Sequence, residues 1–119
     1  MNSAQALHSF WASFGWETYD ENSVPDNAGF PRLTYDVIES TIDDKVALNG
    51  NLFNKSTSWA TLQDKLEQID AVIGRGGKVV NYDGGALWIT KGAPFARRYS
   101  ENDTIKQIII NIQVEYIKL

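Results

Sequence analysis

The chain has 119 residues, enough for one domain built round one core and too few for two. Hydrophobic residues make up 43% and charged residues 22%, the balance of a folded globular domain rather than of a disordered chain. A net charge of −4 argues against attraction of the whole domain to nucleic acid, and the absence of cysteine excludes disulfides, thiolate metal ligands and a cysteine nucleophile.

The start, Met1-Asn2-Ser3-Ala4-Gln5, has neither the basic residues nor the apolar run of a signal peptide, so a cytoplasmic origin is expected. Ser3 is the expected cap of a first helix, in which Leu7, Phe10, Trp11 and Phe14 share one face and Gly15 supplies the stop. Residues 16–19 suggest a short extended piece. Residues 20–31, with Pro25, Pro31, Gly29 and several Asn and Asp, read as a long loop suited to contacts. Leu33, Tyr35 and Val37 alternate with polar neighbours as in a half-buried strand, 41–45 is a polar turn, and 46–53 is a second strand. The hairpin so formed has a far end, around Asn49, Gly50, Asn51 and Asn54, that is poor in core residues.

Ser58 is the expected cap of a second helix whose apolar stripe is Trp59, Leu62, Leu66, Ile69 and Ile73, with Gly74 as its end. Residues 78–82 and 86–91 flank Asp83-Gly84-Gly85, a hairpin signal because glycine tolerates positive φ. Residues 92–99, with Pro94 and the Arg97-Arg98 pair, read as a loop. Residues 104–119 form a long strand with Ile108, Ile110, Ile112, Val114 and Tyr116 on one face. The expected fold is therefore α+β: a single domain over 1–119, with one mixed, largely antiparallel sheet, two helices on one face and protruding hairpins. The longest apolar run, Ile108-Ile109-Ile110, is far short of a membrane span, so no membrane partner is expected.

The patterns that would carry chemistry fall short. Gly74-Arg75-Gly76-Gly77-Lys78 suggests a phosphate cradle, but a helix precedes it, a strand follows, and Val79 stands where a phosphate loop needs Ser or Thr. His8 is the only histidine and has no second His or Cys with which to share a metal. The carboxylates Asp20-Glu21, Asp43-Asp44 and Glu101 with Asp103 lie in polar turns, where solvation keeps both members ionised. No catalytic residue, cofactor or metal is expected. Arg75, Lys78, Lys91, Arg97 and Arg98 concentrate in the second half, either as a basic patch for an acidic protein or a neighbouring subunit, or as an ordinary charged surface.

Asn22-Ser23-Val24-Pro25-Asp26 and Phe30-Pro31-Arg32-Leu33-Thr34-Tyr35 resemble the entry to the first strand of small tail proteins from long-tailed bacteriophages. The similarity continues, in order, through Ser58-Trp59-Ala60, Ile73 to Lys78, Tyr82-Asp83-Gly84-Gly85-Ala86-Leu87-Trp88-Ile89, Gly92 to Ala96 and Asp103-Thr104-Ile105. The family is that of the tail terminators, also called tail-completion or minor capsid proteins, of phages and prophages of Gram-positive bacteria. The resemblance implies a homo-oligomeric ring, commonly a hexamer, at the head-proximal end of the tail of the virion. The ring caps the tail tube, stops its polymerisation and meets a head connector or stopper, while DNA only passes through its lumen. No catalytic residues come with the family. The neighbouring role, a connector on the head side, stays open, as does a monomeric binding module, whereas an enzyme fares poorly for want of a histidine pair, a metal cluster or a phosphate loop. The candidate contact residues are Asp20, Asn22, Pro25, Asp43, Asp44, Asn49, Asn51, Arg75, Lys78, Asp83, Arg97 and Arg98.

Overall fold

The computed structural model describes residues 1–38 and 45–118. In chain order they form α1 (Ser3–Ala12), β1 (Glu17–Asp20), β2 (Arg32–Tyr35), β3 (Lys45–Lys55), α2 (Ala60–Ile73), β4 (Lys78–Tyr82), β5 (Gly85–Ser100) and β6 (Ile105–Lys118). The strands make one six-stranded sheet in the order β1-β2-β3-β6-β5-β4. The β1–β2 pair is parallel and every other pair is antiparallel, so the sheet is mixed and the fold is α+β, as expected. Neither described helix is long and apolar enough to cross a membrane.

The polar residue that starts α1 is Asn2 rather than Ser3. Asn2 has an extended backbone, its Oδ1 accepts the Gln5 N–H at 2.9 Å, and Gln5 Oε1 accepts the Asn2 N–H at 2.9 Å. This reciprocal cap needs an amide or acid three residues on, which Asn2 has and Ser3 lacks. Ser58 stands one residue before the N-cap position of α2, Trp59, and its Oγ accepts the Ala60 N–H at 3.1 Å.

Both helices pack on the same face. Leu7, Phe10, Trp11 and Phe14 from the α1 segment join Leu62, Ile69 and Ile73 of α2 in one cluster with Leu48, Leu52, Ile108, Ile110, Ile112 and Val114 of the sheet. Trp59 and Leu66 of the α2 stripe are only half-buried and sit at its margin. The alternation read in the last strand is fully realised, because Ile108, Ile110, Ile112, Val114 and Tyr116 are all buried. The turn at Asp83-Gly84 closes the β4–β5 hairpin with Gly84 at φ 86°, where a side chain would be strained.

Two expectations are corrected. Residues 92–99 are not a loop: after a register shift between Lys91 and Ala96, β5 pairs again with β6 from Ala96↔Ile110 to Ser100↔Lys106. Pro94 lies in the bulge, where its missing N–H breaks no ladder bond. Likewise Asn49, Gly50 and Asn51 are not the end of a hairpin but the middle of β3, flanked by the buried Leu48 and Leu52. Gly50 faces the core because Trp11 occupies the space above it; a Cβ there would lie within 2.8 Å of three atoms of the indole ring. The turn expected at 41–45 lies almost wholly outside the described residues, apart from Lys45, which opens β3.

Gly50→Ala should therefore destabilise the protein by about 1–3 kcal/mol through overpacking, and the paired change Gly50→Ala with Trp11→Phe should recover part of the loss. Thermal melts of Gly50→Ala, Trp11→Phe and the paired variant check this.

Candidate interaction surface

The opposite face of the sheet carries no helix. Cross-strand register sets its rows: Glu17, Arg32, Phe53, Gln107 and Tyr99 form one, and Tyr19, Thr34, Asn51, Ile109 and Arg97 the next. Between them and the returning loop 21–31 lies an open groove of about 560 Å³, lined by Glu21, Val24, Arg32, Thr34, Asn49, Asn51, Phe53, Arg97, Gln107 and Ile109.

The groove is polar but internally bonded. Gln107 Nε2 donates to Asn51 Oδ1 at 2.9 Å, and beyond its edge Asn111 Nδ2 donates to the Pro94 carbonyl at 2.9 Å. Asn49 is pinned through its backbone, its N–H donating to Asp36 Oδ1 at 2.7 Å and its carbonyl accepting from the Asp36 N–H at 3.2 Å. The Arg32 guanidinium is sandwiched over the rings of Phe30, at 4.4 Å, and Phe53, at 5.0 Å, which fixes its charge in place.

The candidates from the sequence fall into separate places. Asn49, Asn51 and Arg97 meet in the groove. Asp20 ends β1, and its Oδ1 accepts the Asn22 N–H at 2.9 Å, which sets the direction of the loop that carries the exposed Pro25. Asp83 is engaged within the chain: its Oδ2 lies 2.8 Å from the Met1 amino nitrogen, and its N–H donates to the Met1 carbonyl at 2.7 Å. Asp43 and Asp44 lie outside the described residues.

The five bases do not form one patch. Arg75 is exposed in the turn after α2, and Lys78 opens β4 beside Ser9, Phe10 and Val72. Lys91 forms an ion pair with Asp70 of α2. Arg97 and Arg98 are neighbours on a strand, so they point to opposite faces. Arg97 enters the groove, while Arg98 lies 4.7 Å over Trp59 and donates to Gln63 Oε1 at 3.2 Å. Sequence reasoning missed Gln107, Ile109 and Asn111. Their signal was available, since the alternation that buries Ile108, Ile110 and Ile112 turns these three outward.

Among the described residues, no group of three or more His, Cys, Asp or Glu is placed to hold a metal ion. His8 Nδ1 is hydrogen-bonded to Tyr35 Oη at 2.8 Å. Burial pushes the Tyr35 phenol above its ordinary pKa of 10.0, and the nearby Asp20 carboxylate adds to the rise. The Tyr19 phenol is also raised, by desolvation first and then by its hydrogen bond to Glu17 at 3.1 Å.

No protein-family model matches the chain, and no curated protein matches it in sequence. Its fold is similar to that of a chain in the solved structure "Virion of native gene transfer agent (GTA) particle". The TM-score is 0.56 at 16% identity, covering 95% of this chain and 90% of that chain.

Two predictions follow from this geometry. Arg98→Ala should lower stability by roughly 0.5–1 kcal/mol through loss of the Trp59 contact, while Arg97→Ala should leave the melting temperature unchanged. Because the folded Tyr35 pKa is raised, its contribution is complete below pH about 10 and is lost as pH rises through the folded value. Tyr35→Phe should therefore flatten part of the fall in stability seen in alkaline denaturant titrations.

Proposed function

We propose that the chain is a structural subunit of a phage-like particle, a tail terminator that closes into a ring at the head-proximal end of the tail tube. The observation that carries this reading is the fold likeness to a virion chain, which extends over nearly the whole of both chains rather than over a shared fragment. The ordered set of motifs in the sequence supports the finer role. In this reading the work of the protein is contact: one axial end binds the tube protein, the other meets the head connector or stopper, and DNA passes through the lumen. A ring of six made in the host cytoplasm and incorporated into the virion fits the family that the sequence resembles.

Deleting the gene from its phage or prophage should yield filled heads, unjoined tails and tubes of excess length in electron micrographs. Tails of normal length that still attach to heads would overturn the terminator role. Heads that leak DNA beside finished tails would assign the protein to the head side instead.

A further inference from the structure

Among the described residues β1, β4, parts of β3 and the far half of β5 each have a strand neighbour on one side only, and two of these, β1 and the far half of β5, carry opposite charge. The first is β1, which pairs with β2 alone and holds Glu17 and Asp20, with Glu21 following. The second is the far half of β5. The β4 strand reaches only as far as Lys78↔Ile89, so from Ala96 to Ser100 β5 is paired with β6 and with no other strand. This half holds Arg97 and Arg98, both exposed, and Tyr99, which is 56% exposed.

Free strand edges are templates for a strand of another chain, and the charges on them decide which strand is accepted. Here the signs match on both faces of the sheet. Glu17 is in register with Arg32 on the helix-free face, the face that also carries Arg97. Asp20 is in register with the buried Tyr35 on the helix-bearing side, where Arg98 lies against Trp59. Two β5 edges would set arginines against arginines and two β1 edges carboxylates against carboxylates, so like edges repel and unlike edges attract.

We propose that β1 of one copy adds to the free half of β5 in the next copy, so that the sheet continues from subunit to subunit. This deepens the ring reading and rests on it. The strand lengths agree, four residues in β1 against the five of Ala96–Ser100. Within the sheet β1 and β5 run in opposite directions, because β1 is parallel to β2 and three antiparallel steps separate β2 from β5. A rotation about an axis along the strands preserves direction, so the joined strands are antiparallel. The contact uses different surfaces of identical chains, the type that closes into rings.

The test uses the full chain, Glu17→Lys/Asp20→Lys, Arg97→Glu/Arg98→Glu, and an equimolar mixture of the two variants, all followed by sedimentation and native mass. The parent should assemble and each variant alone should stay monomeric with a cooperative melt. The mixture should regain oligomers, because each variant then offers the other a matching edge, and high salt should dissolve them. Restoration on mixing cannot come from variants that fail to fold. Variants that assemble like the parent, or folded variants whose mixture stays monomeric, overturn the edge pairing while leaving the ring reading in place. A parent that remains monomeric at every concentration overturns both. The chain has no cysteine of its own, so Glu17→Cys/Tyr99→Cys should give an oxidised ladder of subunits. Dimers from either single cysteine variant would instead report pairing of like edges and overturn the proposal.

Discussion

Everything in this structure depends on the packing of Trp11 over Gly50. The sheet curls, and α1 lies in the hollow, where it touches β1, β4 and β5 although β1 and β4 are opposite edges of the sheet. Trp11 is fully buried at the centre of that hollow and passes above the one position of β3 that has no side chain. Among the described residues its indole Nε1 has no hydrogen-bond partner, a cost of about 1–3 kcal/mol. Burying 150–250 Å² of a tryptophan stabilises by roughly 4–6 kcal/mol, so the apolar term wins. A side chain at position 50 would lift the helix and open the curl, and the rows of the helix-free face would lose their spacing.

That dependence explains which parts of the fold could be read from the sequence. The stripes of α1 and α2 and the alternation of β6 are local periodicities, and each survives into the structure because burial enforces it. The middle of β3 was misleading for a physical reason. Asn-Gly-Asn is turn chemistry when judged by its neighbours alone, yet here glycine serves the close approach of a side chain from a distant helix. Residues 92–99 mislead in the same way: Gly92 and Pro94 signal a loop, but the strand tolerates them in a bulge and resumes its pairing four residues later. The parallel β1–β2 pair depends on a loop crossing that no local pattern encodes.

The candidate surface was legible in pieces. Asn49, Asn51 and Arg97 were singled out separately, and only cross-strand register shows that they share a groove. Arg97 and Arg98 show the opposite error. Adjacency in sequence suggested joint action, whereas the pleat separates them, one beside polar amides and the other on Trp59. Opposite faces are nevertheless what a strand-addition contact requires, since a strand joining that edge meets side chains of both faces at once.

In the proposed ring a lateral contact made by strand edges leaves the strand ends free as the axial surfaces, and these ends differ. One carries the Asp83-Gly84 turn, where Asp83 is tied to Met1. The other carries the tip between β5 and β6, with Glu101, Asn102 and Asp103 exposed. That tip is internally bonded: Asn102 Oδ1 accepts the N–H groups of Thr104 and Ile105, each at 2.9 Å, and Ser100 Oγ donates to the Asn102 carbonyl at 2.8 Å. A tip held by its own hydrogen bonds has less freedom to lose on binding, which favours it as a docking element. Two axial surfaces of unlike chemistry can bind two unlike partners. In the proposed ring, end surfaces that are not each other's complement would also keep copies from stacking end on end. A cap on a growing tube needs both properties: growth round the ring through its own edges, and refusal of growth along the axis.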